Sequence, residues 1–161
     1  SNWRASRIRE AQEIARVQGI DGFVANQMLW SAAVIDPAGI ADETMVAMDD
    51  ELYAYHQASR LAAIPYSSQA GGLFQKLAQD NLQVGEAYPV GPNQARLVRL
   101  QEIALESGLS ITQVVLGFLR AQPFVTIPIV GSRTPEQLAD TLSAADVRLN
   151  ADQVARVDAA L

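Results

Sequence analysis

The stretch Phe124-Val125-Thr126-Ile127-Pro128-Ile129-Val130-Gly131-Ser132-Arg133-Thr134-Pro135-Glu136-Gln137-Leu138 constrains the fold more than any other. Its apolar, β-branched opening reads as a buried strand. Gly131 breaks the run, and a helix starts at once: Thr134 caps it, Pro135 suits its first position, and Gln137 completes a capping box. A strand ending in Gly-Ser-Arg before a helix N-terminus suits an anion. Gly131 permits close approach, Ser132 offers a hydroxyl, and Arg133 offers a fork matched to phosphate. An ordinary strand-to-helix loop whose arginine faces water carries the same residues, so the loop alone does not decide.

The rest of the chain alternates in the same way. Residues 5–18 form a helix with Ile8, Ala11, Ile14 and Ala15 as its apolar stripe, stopped by Gly19. Gly22–Met28 reads as a short buried strand whose amides Asn26 and Gln27 need partners, from backbone or from a ligand amide. Asp36-Pro37-Ala38-Gly39 is a loop, Asp49–Ser59 a helix, and Leu61–Tyr66 a second buried strand. Ser67-Ser68-Gln69-Ala70-Gly71-Gly72-Leu73 follows as a small-residue turn, a second candidate phosphate cradle. Residues 79–91, with Gly85, Pro89 and Gly91, read as a loop and the best candidate for a mobile flap. Asn93 is the candidate cap of a helix to Glu106, and Ser110-Ile111-Thr112-Gln113 is a capping box opening a core helix to Ala121. Asn150 caps a last helix running to the terminus at Leu161. Such alternation means parallel strands with helical crossovers, an α/β architecture, and no polar linker divides residues 1–161 into two domains.

Charge and composition narrow the partners. A formal net charge of −6 argues against a nucleic-acid backbone or an anionic membrane. With no cysteine, disulfides, thiolate metal sites and a cysteine nucleophile are excluded. No apolar run approaches a membrane span and no signal peptide is visible, so a cytoplasmic setting is the expectation. The chain begins Ser1-Asn2-Trp3 without a methionine, which is compatible with a longer translated product. Gly108–Val114 has tolerable spacing for a helix-turn-helix, but the acidic charge and scarce basic residues on its second helix oppose that reading.

Four motifs in order give a sharper reading. Ser1-Asn2-Trp3, Asn26-Gln27, Pro65–Leu73 and Ile129–Leu138 together resemble the second half of an aldo-keto reductase, and the likeness covers essentially the whole chain. Here Ser1-Asn2-Trp3 is similar to the Ser-Asn-aromatic after the family's fifth strand, and Asn26-Gln27 to the end of the sixth. Pro65–Leu73 resembles the Ala-Gly-Gly-Leu turn after the seventh, and Ile129–Leu138 the Gly-x-Arg-x-x-Glu-Gln-Leu after the eighth. The resemblance implies a TIM-barrel (β/α)8 fold of which this chain covers strands 6–8 and their helices. It also implies NADPH as cofactor, with hydride transfer to a small aldehyde or ketone, or the reverse alcohol oxidation. Carried over by position, Ser1, Asn2 and Gln27 would hold the nicotinamide carboxamide and Tyr66 would stack on its ring. Ser67, Gln69, Gly71 and Leu73 would line the pyrophosphate. Gly131, Ser132, Arg133 and Gln137 would surround the adenosine 2′-phosphate, with Asp140 and Thr141 at the adenine. All of these fall at strand ends or on the next helix turn, where such barrels place their sites.

Departures from the family pattern matter too. Thr141 stands where the family usually has Asn, and Val130 where it has Pro. The family's catalytic Asp, Tyr, Lys and His lie on its first four strands, ahead of the point where this chain begins. His56, the only histidine, reads as a packed or surface residue within a helix, and Lys76, the only lysine, lies beyond the glycine turn. The chain therefore reads as a cofactor shell without acid–base groups, inactive by itself, from an NADPH-dependent reductase. The alternative is a non-catalytic half-barrel that binds a nucleotide and pairs with a second copy or a separate N-terminal half, because three strands cannot close.

Overall fold

A computed structural model describes residues 1–159. Helix α1 (Ala5–Gln18) leads to strand β1 (Ala25–Leu29), a single 3₁₀ turn (Pro37–Gly39) and helix α2 (Asp50–Ser59). Strand β2 (Ala62–Tyr66) is followed by α3 (Leu73–Leu77), α4 (Val90–Ser107) and α5 (Ile111–Arg120). After an extended segment come α6 (Pro135–Ser143) and α7 (Ala151–Asp158); the expected run of the last helix to Leu161 lies outside the described residues.

Strands β1 and β2 pair in parallel, Ala25 opposite Ala62 through Leu29 opposite Tyr66. The α/β reading therefore holds, with two regular strands. The expected third strand is present as an extended segment that joins β2 through one isolated bridge, Ala63 to Thr126. Its bonds show why the ladder stops there. Ala63 N–H donates to the Val125 carbonyl and Ile127 N–H to the Ala63 carbonyl, both at 2.9 Å, and Ile129 N–H reaches the Pro65 carbonyl at 2.8 Å. The reciprocal bond at the next step needs an N–H on residue 65, and proline has none. Burial also departs from expectation: Val125 is 59% and Ile127 54% exposed, because nothing covers that face.

Residues opposite one another share a face, so Met28, Ala63 and Pro65 turn toward the helices and are buried. The core lies between this face and the helices, from Ile8 through Leu52, Phe74, Leu97 and Leu100 to Val114 and Leu119. Helix α5 contributes most, since six consecutive residues, Val114–Leu119, are buried around its axis, with Gly117 against Val147 and Leu149. In α1 the stripe is narrower than the sequence suggests: Ile8 and Ala15 are buried, while Ile14 is half exposed.

Capping decides the helix boundaries. Ser110 and Asn150 form complete capping boxes with Gln113 and Gln153. At α6 the box is only half made. Thr134 accepts from Gln137 N–H at 3.3 Å, but the Gln137 amide oxygen accepts from Arg133 N–H at 2.9 Å instead. Asn93 caps nothing: α4 begins at Val90, with Pro92 in the first turn, where its missing N–H costs no bond. Asn93 is fully buried and clamps the preceding loop, accepting from Val34 N–H at 2.9 Å and donating to the Val34 and Pro89 carbonyls. The segment expected to form a mobile flap is tied down as well, with Asp36 N–H on the Ala87 carbonyl at 2.8 Å and Tyr88 packed on the core.

Candidate cofactor site

Parallel pairing brings the C-terminal ends of β1, β2 and the third segment side by side, and the two glycine-bearing loops leave from neighbouring tips. The first residues of the chain close one flank. Asn2 N–H donates to the Gln27 carbonyl at 2.8 Å, and the Tyr66 hydroxyl donates to the Asn2 side-chain oxygen at 2.9 Å. Asn2 itself sits in the left-handed region at φ 57, which an asparagine tolerates better than most residues. Burial raises the Tyr66 phenol above its ordinary pKa, against the lowering effect of the Asn2 bond, so it is protonated at neutral pH. Ser1 is exposed, and the half-buried Gln27 lies on the uncovered face of β1.

The loop after β2 is wound tightly. Ser67, Ala70, Gly71 and Gly72 all have positive φ, from 49° to 77°, and Ala70 N–H closes on the Ser67 carbonyl at 2.7 Å. For the two glycines this is an ordinary conformation; for Ser67 and Ala70 it is not. Two side chains hold the loop against its neighbours. Ser68, which is buried, donates to the Ile129 carbonyl at 2.6 Å, and Gln69 donates to the Thr141 hydroxyl at 3.2 Å. Leu73 has its side chain in the core, so only its backbone is available at the loop.

In the second loop Gly131 has open space where a Cβ would stand, and Ser132 Oγ is buried without a hydrogen-bond partner. An orphaned hydroxyl beside an open backbone fits an anionic oxygen that would complete it. Arg133 is exposed and makes no ion pair among the described residues. Gln137 is occupied by Arg133 N–H, as described above. Asp140 accepts from Ser110 at 2.9 Å, and the Thr141 hydroxyl is turned inward to Gln69 at a residue only 6% exposed.

The sequence-expected residues thus fall into three groups: Ser1, Asn2, Gln27 and Tyr66; Ser67 to Leu73; and Gly131 to Thr141. The Gln69 bond to Thr141 joins the second group to the third, and Ser68 ties the second to Ile129 just ahead of the third. The resemblance assigns no role to Ser68; a small hydroxyl beside a glycine turn is its one sequence signal. Cavities add little. One of about 710 Å³ includes Ser1 and Asn2, whereas one of about 640 Å³ under Trp30, Tyr53 and Arg96 shares none of the expected residues. Among the described residues no cluster of metal-ligating side chains occurs, and no single helix is long and apolar enough to cross a membrane.

Parallel strands with helical crossovers, and glycine-bearing loops at one end of them, define an α/β protein. The sequence profile of the aldo/keto reductase family matches residues 1–161, and the chain belongs to that family. Among curated proteins it is similar to the uncharacterized oxidoreductase YrpG of Bacillus subtilis, 31% identical over 94 residues, which is 56% of this chain and 29% of that protein. It is also similar to the norsolorinic acid reductase stcV of Emericella nidulans, 23% identical over 155 residues, 94% of this chain and 37% of that protein. The chain thus spans about a third of the length of these relatives.

Proposed function

We propose that the protein carrying this chain is an oxidoreductase that reduces an aldehyde or ketone with NADPH, and that residues 1–161 are its cofactor-holding shell, the second half of a (β/α)8 barrel. Family membership and two relatives named as an oxidoreductase and a reductase support the activity class. The observation that carries the cofactor assignment is the second loop, where an open Gly131, an orphaned Ser132 hydroxyl and an Arg133 without an ion pair among the described residues follow one another. A phosphate there would satisfy all three. When bound, the dinucleotide supplies a hydride. The chain's own part is to fix position: Asn2, Gln27 and Tyr66 orient one end of the dinucleotide, Ser67 to Gly71 follow its middle, and the Gly131 loop anchors the far end. Geometry held before binding lowers the barrier by removing orientational freedom.

Proton delivery lies beyond these residues. His56 is fully buried, with Nδ1 on the Leu61 carbonyl at 2.8 Å, and Lys76 is within α3. His56 is thus engaged before the start of β2, Lys76 matches no acid–base motif, and in this reading the acid comes from the remainder of the protein. A second reading, a half-barrel that pairs with another copy, is favoured by the exposed apolar row Val125, Ile127 and Ile129. Size-exclusion chromatography of the isolated chain separates them, a dimer supporting the second.

The test of the first reading is a fluorescence titration of the full-length protein with NADPH and NADH. Arg133 is exposed, so its phosphate bond belongs at the low end of charge-assisted values, about 1.5–2 kcal/mol. Arg133→Ala should weaken NADPH roughly 10- to 30-fold and leave NADH within about twofold. Unchanged NADPH affinity would overturn the assignment.

A further inference from the structure

We propose a second anion site at the opposite end of the strands, a cleft of Arg60, Arg120 and Arg148 that takes a compact phosphate-bearing polyanion of pyrophosphate size. The three arginines come from different parts of the chain. Arg60 follows α2, Arg120 ends α5, and Arg148 lies between α6 and α7. They line one cavity of about 350 Å³, beside Phe124 and Thr126, into which no carboxylate projects. None of the three makes an ion pair among the described residues, although the chain has 18 acidic residues to 12 basic and pairs Arg9, Arg16, Arg99 and Arg156. In an acidic protein, three unpaired guanidinium groups around one cavity repel one another and gain from an anion between them.

Two of the groups are already held in place. Arg148 donates to the Arg120 carbonyl at 2.9 Å, and Arg60 donates to the Pro123 carbonyl. The Arg120 carbonyl is at the negative end of α5 and the Pro123 carbonyl lies in the turn that follows it, and each accounts for one N–H of a fork. A guanidinium has five N–H groups, so most of the donors remain for a ligand. Carbonyl capping does not account for Arg60 itself. Its φ is 61°, at a helix end where glycine is usual, and an arginine there is under steric strain. Strain kept at a position whose side chain lines a cationic cleft points to a use for that side chain. The volume is at the small end of ligand cavities and suits a compact anion rather than a dinucleotide. From Val125 to Gly131 the chain runs six residues extended, so the cleft lies roughly 20 Å from the Gly131 loop. It is therefore independent of the cofactor reading.

The test is calorimetric titration of the full-length protein with inorganic pyrophosphate while NADPH is saturating, with potassium chloride of matched ionic strength as control. Arg60→Gly suits the left-handed backbone and should fold; Arg148→Gln and Arg133→Ala complete the set. The expected result is saturable binding, weakened about tenfold or more by Arg60→Gly and by Arg148→Gln and unchanged by Arg133→Ala. No heat beyond the chloride control overturns the proposal. So does binding that survives Arg60→Gly, or binding lost in Arg133→Ala, which would place the anion at the other loop. Melting curves establish which variants are folded, and should Arg148→Gln not fold, the Arg60→Gly result decides.

Discussion

Removing the Tyr66 hydroxyl tests whether the start of the chain is fastened to the tip of β2. The bond is 2.9 Å to Asn2 Oδ1, and Val46 N–H approaches the same oxygen at only 3.5 Å. A neutral hydrogen bond contributes about 1 kcal/mol net. Both residues are partly exposed, so water can replace a lost partner, and Tyr66→Phe should cost about 0.5–1 kcal/mol. Asn2→Ala should cost more, about 1.5–2.5 kcal/mol, because alanine must also adopt φ 57. Asn2→Gly removes the side chain without the steric penalty and should cost about 1 kcal/mol. Pairing Asn2→Gly with Tyr66→Phe in a double-mutant cycle, read by urea denaturation of the full-length protein, isolates the contact. The expected coupling is about 0.5–1 kcal/mol. If the single effects simply add, the bond does not fasten the two ends, and the first group of site residues loses its internal support.

Two further outcomes concern the scaffold. Asn93→Ala should destabilise by about 3 kcal/mol, since it strips three bonds from a fully buried site and leaves a cavity; a shift in the denaturation midpoint worth under about 1 kcal/mol would refute the clamp. His56 is fully buried with Nε2 unpartnered, and burial lowers its pKa against the raising effect of the Leu61 bond. Its unfolded value is about 6.5, so below that pH the unfolded chain binds more protons than the native one. Its contribution is full above pH ~6.5 and is lost as pH falls through the folded value, with a slope of at most about 1.4 kcal/mol per pH unit. His56→Asn should be less stable overall but should flatten the slope between about pH 6.5 and 5.5, and an unchanged slope would exclude His56 as its source.

Local signals were legible where a single side chain settles a boundary. Ser110 with Gln113 opens α5, and Gly19 and Gly108 end α1 and α4 in left-handed conformations. Where two distant residues decide, the sequence misled. Gly91 reads as loop because nothing local shows that Pro92, three residues into α4, sacrifices no bond. Asn93 read as a cap because its true partner, Val34, lies 59 residues earlier. The same division holds in the candidate site. Gly131 and Arg133 were visible in the strand-to-helix motif, whereas the pairing of Gln69 with Thr141 spans 72 residues and was not. The resemblance to the family places Thr141 at the adenine; in the structure its hydroxyl accepts from Gln69.

The third segment shows how the two levels interact. Val125, Ile127 and Ile129 have strong strand propensity, and the segment is extended, yet Pro65 on the neighbour denies it a regular ladder. On the other side, the segment's outward backbone nitrogens are those of Thr126, Pro128 and Val130, because Ile127 and Ile129 donate to β2. Pro128 removes the middle donor from that free edge, a common way of blunting unwanted strand addition. An edge so guarded, with Val125 and Ile127 more than half exposed beside it, is a surface that accepts only a partner of matching register. In the half-barrel proposed above, this is the edge along which the rest of the protein would continue the sheet.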